Sequence, residues 1–315
     1  MQKTISVVVP VHNEEQNVPL IASAIRGVFG VLPQYGYELI FVNDGSTDAS
    51  QRAIDALVAA HPSVRSLEFS RNFGKEAATS AGLREARGDA VVLIDADMQH
   101  PPDLIPQFIA KWEQGAEMVI GVRESNVGAG IVRNTLSRLF YALFNAMSET
   151  SLIPGATDFR LIDRRVVDEF NVLTERNRIT RGLLDWLGFR RETISFAAKP
   201  RANGVASYSL LKLIKLTLSS FVSHSLFPLR FAGYLGIFIS LLSGLFGLVV
   251  FVNRYLFNDY LNWQVSGSAQ LAILNVFFTG IILICLGLIA LYVGNINGEV
   301  SGRPLYVVRK RQNFN

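Results

Sequence analysis

Cysteine is nearly absent: the 315 residues contain only Cys285, so one chain can form neither a disulfide framework nor a cysteine metal site. No zinc-finger or helix-turn-helix pattern occurs. The formal net charge of +4 is mild, and Lys and Arg gather near the hydrophobic segments, which favours an anionic lipid bilayer surface over nucleic acid as a partner. No G-x-G-x-x-G follows the first strand-like run and no G-x-x-x-x-G-K-[ST] is present, which disfavours dinucleotide-fold dehydrogenases and P-loop nucleotidases. Between Met1 and Val7-Val8-Val9 there is no apolar stretch of signal-peptide length, so the front of the chain is expected to stay in the cytoplasm.

Charge is also missing from residues 231–252 and 271–293, runs of 22 and 23 residues. As helices they measure about 33 and 34 Å, enough to cross a hydrocarbon core. Lys212, Lys215 and Arg230 precede the first run and Arg303, Arg309, Lys310 and Arg311 follow the second, whereas 253–270 has only Arg254, balanced by Asp259. The positive-inside rule then predicts an integral membrane protein with the front half of the chain and both termini cytoplasmic. Lys212, Lys215, Ser219 and Ser223 draw a narrow polar stripe that fits a helix lying in the headgroup layer. The expected domains are residues 1–205, an α/β unit; 206–229, a juxtamembrane amphipathic helix; and 230–315, a transmembrane hairpin with a basic tail.

In the first half, short β-branched runs alternate with helical patterns. Strands are expected at 5–11, 37–42, 64–69, 91–94 and 118–122, with helices at 18–28, 49–60, 76–87, 102–113 and 164–173. That alternation predicts βαβ units and a mostly parallel sheet with flanking helices. Pro10 should prevent the first strand from continuing as a central one, and Asn13 is the expected N-cap of the first helix. The polar clusters after the five strands would gather along one edge, and they contain Glu14, Lys75, Gln99 and Arg123, more than turns alone require. In open α/β sheets ligands bind at that edge.

The richest cluster follows Val91-Val92-Leu93-Ile94. Asp95 and Asp97 stand two apart, so in extended chain they point the same way and can share a divalent ion with Gln99 and a diphosphate. Mg²⁺ and Mn²⁺ suit such an oxygen shell. An acidic turn leading into a helix that starts at Pro101-Pro102 is the competing structural explanation.

Four segments in order, V-V-V-P-V-H-N-E-E at 7–15, N-D-G-S-T-D at 43–48, S-R-N-F-G-K at 70–75 and D-A-D-M-Q-H-P-P at 95–102, resemble the family-2 inverting glycosyltransferases of GT-A fold. More narrowly, the chain looks like the polyprenyl-phosphate members, the dolichol-phosphate mannose synthases and bactoprenol glucosyltransferases. The resemblance implies that Pro10, His12, Glu14, Asp44, Lys75, Asp95 and Ala96 meet the nucleotide sugar, and that Asp95, Asp97 and Gln99 hold Mg²⁺ or Mn²⁺. It further implies that Asp158, Asp97 and Arg123 serve catalysis and that Arg133, Ser137, Arg181 and Arg201 meet the lipid phosphate. Where relatives commonly have Ser-Lys-Tyr this chain has Ala206-Ser207-Tyr208, which removes one expected phosphate contact.

The resulting expectation is inverting transfer of a hexose, UDP-glucose being the best single donor, to undecaprenyl phosphate at the cytoplasmic membrane face. UDP-GlcNAc, GDP-mannose or a UDP-aminoarabinose derivative are alternative donors. A processive polysaccharide synthase is disfavoured because no Gln-x-x-Arg-Trp segment occurs. A non-catalytic membrane-anchored nucleotide-sugar-binding protein should have lost acids, yet Asp44, Asp95, Asp97 and Asp158 are all present. Oligomeric state is left open, a homo-oligomer among the options.

Overall fold

The structure is a computed structural model that describes residues 2–123, 153, 155–176, 178–197, 238, 245, 252 and 267–314. The chain divides into two compact units, Met1–Ser207 together with Gly302–Asn315, and Tyr208–Ser301.

In the first unit the alternating pattern becomes β1 (Thr4–Val11), α1 (Asn17–Gly30), β2 (Gly36–Asn43), α2 (Ser50–Ala60), β3 (Val64–Phe69), α3 (Lys75–Glu85) and β4 (Ala90–Leu93). A 3-10 turn (Pro102–Leu104) then opens α4 (Ile105–Glu113), and β5 (Met118–Arg123), β6 (Ala156–Asp163), α5 (Arg164–Val172), α6 (Thr180–Trp186) and β7 (Arg191–Phe196) follow. The eighth strand, β8 (Val308–Gln312), comes from the end of the chain and completes a sheet ordered β7-β5-β6-β4-β1-β2-β3-β8. β1, β2, β3 and β4 run parallel, whereas β6 enters antiparallel between β4 and β5. Two reversals restore the direction, so β5 points the same way as β4, and the carboxyl ends of β1 to β5 share one edge with the first residues of β6.

The sheet is covered on both faces, as continuous apolar strands require. Val18, Ile21, Ala22, Ile25, Val28 and Phe29 form the buried stripe of α1 at helical spacing, and pack with Val7, Val9, Leu39 and Phe41 on one face. On the other face α3 presents Ala77, Ala78 and Ala81 to Val8 and Val42. Gly82 lets it approach that closely, because a Cβ there would lie 2.2 Å from Val8 Cγ1. Each aliphatic side chain buried this way contributes roughly 1.5–3 kcal/mol.

Several expectations need correction. Pro10 does not end the strand: β1 is central, and Pro10 pairs with Val42 of β2. Its missing N–H is harmless because the β4 pairing stops at Val8 and Leu93, so that side of Pro10 has no partner strand to satisfy. Asn13 does not cap α1, whose N-cap is Gln16 without a side-chain bond. It adopts φ 58° and its Oδ1 accepts the Thr47 N–H at 2.8 Å, tying the first loop to the second. The sixth strand was not foreseen: residues 156–163 form β6, and the helix cap is Asp163, which accepts the Arg165 N–H.

In the second unit, α7 (Gly267–Val300) is one helix of 34 residues. Among the described residues no helix is long and apolar enough to cross a membrane, which overturns the integral-membrane placement with cytoplasmic catalytic domain and termini. The stripe at Lys212, Lys215, Ser219 and Ser223 lies outside the described residues.

Candidate active site

Three loops are laced together at the sheet's carboxyl edge, largely by backbone N–H groups donating to short side chains. The Asn13 N–H donates to Ser46 Oγ (3.0 Å), the Glu14 N–H to Ser50 Oγ (2.8 Å) and the Ala49 N–H to Glu15 Oε2 (3.0 Å). Asp44, almost fully buried, reaches the third loop and accepts the N–H groups of Phe73 (2.6 Å) and Gly74 (2.9 Å). Burial raises its carboxyl above the ordinary value despite those two bonds. Gly45 follows at φ +60° against the backbone of Arg71 and Asn72, and a Cβ there would come within 2.3 Å of Arg71 C. Only glycine fits both the conformation and the space.

His12 Nδ1 lies 2.9 Å from the Asp44 carbonyl, and Asn72 Nδ2 is 3.1 Å from His12 Nε2. A proton on Nδ1 lets the ring donate to the carbonyl and accept from the amide. Glu14 accepts Asn17 Nδ2 at 2.6 Å. Pro10, His12, Glu14 and Asp44 thus belong to one braced wall.

Lys75 begins α3 and stands between two carboxylates, 2.7 Å from Asp95 Oδ1 and 2.8 Å from Asp158 Oδ2. Burial opposes its charge, but Asp95 and then Asp158 outweigh that and raise the ammonium above its usual value. For Asp158 burial pulls upward, yet the Lys75 ammonium, with help from Arg181 and Arg160, brings the carboxyl down to about 2. Lys75, Asp95, Asp158 and Arg181 line one pocket with Pro10, Glu76, Thr79 and Thr180. The antiparallel entry of β6 is what delivers Asp158 to this edge.

β4 ends at Leu93 and the chain turns at Ala96 and Asp97, with Met98 at φ 62°. Asp95 and Asp97 therefore do not sit on extended chain, contrary to the spacing argument. Asp97 Oδ1 accepts the Gln99 N–H at 3.1 Å, and Asp95 Oδ2 faces buried His100 Nδ1 at 3.7 Å. Burial lowers the His100 pKa, so the ring is neutral at pH 7. Among the described residues no group of three or more His, Cys, Asp or Glu is arranged to hold a metal. The donors nevertheless suit a hard divalent cation in kind, since Asp95, Asp97 and Gln99 bring carboxylate and amide oxygens to one turn.

Arg123 ends β5, exposed, its N–H bonded to the Gly155 carbonyl. Arg133, Ser137 and Arg201 lie outside the described residues.

Three further residues escaped the sequence reading. Glu76 accepts the Thr180 N–H at 2.7 Å, tying α3 to α6. Arg160, 1% exposed, lies 3.7 Å from Asp185 behind Asp158. His100 lies inside the D-A-D-M-Q-H segment but was given no role. Only Arg160, two residues after Asp158 in D-F-R, offered a signal, namely a charge between the apolar Phe159 and Leu161.

The description Glycosyl transferase family 2 matches residues 6–170. The SfII prophage-derived bactoprenol glucosyl transferase of Shigella flexneri is 38% identical over 311 residues, covering 99% of each chain. The chain belongs to glycosyl transferase family 2.

The prophage bactoprenol glucosyl transferase homolog of Escherichia coli K12 is 35% identical over 306 residues, covering 97% of this chain and 98% of that one. Among solved structures, glucosyl-3-phosphoglycerate synthase from Mycobacterium tuberculosis with Mn²⁺, UDP and phosphoglyceric acid is 19% identical, with a TM-score of 0.46 over 70% of this chain and 78% of that one. As a family 2 glycosyltransferase the chain has the α/β, GT-A-like, mostly parallel sheet with flanking helices that the motifs implied.

Proposed function

We propose that this glycosyltransferase transfers a hexose, best matched by glucose from UDP-glucose, to a polyprenyl phosphate such as undecaprenyl phosphate, with inversion. The observation that carries the reading is full-length similarity to proteins named bactoprenol glucosyl transferase. The convergence of Lys75, Asp95 and Asp158 on one pocket supports it.

In this reading the laced loops of Pro10, His12, Glu14 and Asp44 form the nucleotide wall, with Asp95 and Ala96 beneath the ribose and diphosphate. Asp95, Asp97 and Gln99 would hold Mg²⁺ or Mn²⁺, which neutralises diphosphate charge when bound. Lys75 keeps Asp158 ionised and holds both Asp95 and Asp158 in place. Arg181, beside Asp158, and Arg123, at the end of β5, offer cations to the acceptor phosphate and the departing diphosphate. Arg133, Ser137 and Arg201 are proposed on resemblance alone as further phosphate contacts.

Asp158 fits an orienting role better than proton removal. A carboxylate with a pKa of about 2 is a weak base, and a phosphate monoester, with a second pKa near ~6, is already largely a dianion at neutral pH. The acceptor oxygen can attack the anomeric carbon as the bond to the nucleoside diphosphate breaks, and the electron pair leaves with the diphosphate.

The test is to incubate purified protein with UDP-glucose, UDP-GlcNAc or GDP-mannose, undecaprenyl phosphate and Mg²⁺ or Mn²⁺, and to weigh the lipid product. A single hexose on the lipid, lost in Asp97→Ala, is expected. No product with any donor would overturn the acceptor assignment, and full activity in Asp97→Ala would overturn the metal assignment.

A further inference from the structure

The basic residues Arg309, Lys310 and Arg311 lie on β8, which adds to the β3 edge in antiparallel register, Ser66 opposite Gln312 and Glu68 opposite Lys310. A lone basic pentapeptide has little reason to become a strand, so its attachments indicate what it does. Arg309 reaches Glu68 (3.1 Å), Arg311 reaches Glu85 (3.0 Å) and Asn313 Nδ2 donates to the Val58 and Val64 carbonyls.

Two attachments continue past the strand into the loop that ends at Lys75. The Ser70 N–H donates to the Val307 carbonyl at 2.9 Å, and Arg309 Nη2 donates to the Ser70 carbonyl at 2.8 Å. Both backbone groups of Ser70 are therefore held by the C-terminal segment. Next to them the Tyr306 ring stacks on Phe69 at 4.9 Å and 11°, and Phe69 meets Phe73 edge-on at 5.8 Å. Phe73 and Gly74 are the residues whose N–H groups Asp44 holds, and Lys75 comes next. The 70–75 loop is thus pinned at one end by Asp44 and at the other by residues 306–309.

We propose that residues 306–309 are a positioning strap for the 70–75 loop, with Tyr306 and Arg309 setting where Lys75 stands between Asp95 and Asp158. The strap acts through Ser70 and the Phe69–Phe73 pair. Its effect on transfer rests on the proposed glycosyl transfer, but its effect on the loop does not.

The experiment compares Tyr306→Ala, Tyr306→Phe and Arg309→Ala by amide hydrogen exchange and by transfer kinetics with UDP-glucose and undecaprenyl phosphate. Arg309 is well exposed, so its truncation should leave folding intact even where Tyr306→Ala does not. In both alanine variants the Phe73 and Gly74 amides should exchange about tenfold faster while β1 and β4 keep their protection, and kcat/KM for the donor should fall roughly tenfold. Tyr306→Phe, which keeps the stacked ring, should match the wild type in both. Unchanged exchange at 73–74 in both alanine variants overturns the proposal. So does uniform acceleration across the whole sheet, which marks a merely stabilising strand. If the wild type transfers no sugar, the functional reading falls while exchange still decides the strap.

Discussion

Gly45→Ala is the sharpest test of the braced loops. At φ +60° an L-residue gives up about 1–2 kcal/mol relative to glycine. The added Cβ would also lie 2.3 Å from Arg71 C, 2.5 Å from Asn72 N and 2.7 Å from Arg71 O, all backbone atoms that no rotamer change can move. Restoring ordinary contact displaces the third loop by about 1 Å. The Asp44 bonds to Phe73 and Gly74 are the first to stretch, and a hydrogen bond to a charged group contributes roughly 1.5–3 kcal/mol. One lost bond plus the conformational cost comes to about 3–5 kcal/mol, or a Tm fall of roughly 6–20 °C for a unit of this size. Thermal and denaturant unfolding of purified protein measure it, with UDP titration reporting the pocket. Gly27→Ala is the control: nothing lies within 4 Å of its added Cβ, and in a helix interior alanine should gain about 0.5–1 kcal/mol. A Gly45→Ala protein within about 1 kcal/mol of wild type would refute the bracing argument, since it falls below the conformational cost alone.

Other consequences follow from the same geometry. Lys75→Ala leaves Asp95 and Asp158 without their shared cation; transfer should drop by about 10²-fold, read from initial rates, and retained activity would remove Lys75 from the site. Asp158 titrates at about 2 instead of 3.8, so its stabilising contribution is complete above the ordinary value and disappears as pH falls through 3.8 towards about 2. Asp158→Asn should therefore flatten the Tm-against-pH curve in that window, and an unchanged slope would contradict the Lys75 contact. The acid limb of kcat/KM should instead follow the acceptor phosphate near pH ~6, with Asp158→Asn lowering the profile without shifting the limb. Arg160→Met removes one of the two cations beside buried Asp185, Arg191 remaining at 3.4 Å, and should cost roughly 1–3 kcal/mol by denaturant unfolding; a gain in stability would show the pair to be replaceable.

Much of the first unit could be read from pattern. Short continuous apolar, β-branched runs and stripes at helical spacing place β1 to β5 and α1 to α4 within a few residues, because each pattern reports how much of a local element must leave water. Lys75, with Glu14, Gln99 and Arg123, stood out as a polar residue in excess of what turns require, Asp95 and Asp97 by their spacing after a strand, and Asp44 only through the family resemblance. The membrane expectation rests on the same counting, and among the described residues no helix is long and apolar enough to cross a membrane.

By itself the sequence determined the alternation of strand and helix and the identity of the acids at the strand ends, since both depend on neighbours along the chain. Only the tertiary structure decided that β6 enters antiparallel and brings Asp158 to Lys75. It alone decided that Asn13 and Asp44 bind loops together and that Val308–Gln312 closes the sheet beside β3. Those are pairings between residues far apart in sequence, chosen by which backbone groups and buried charges find partners when the layers close, and no local pattern encodes that choice.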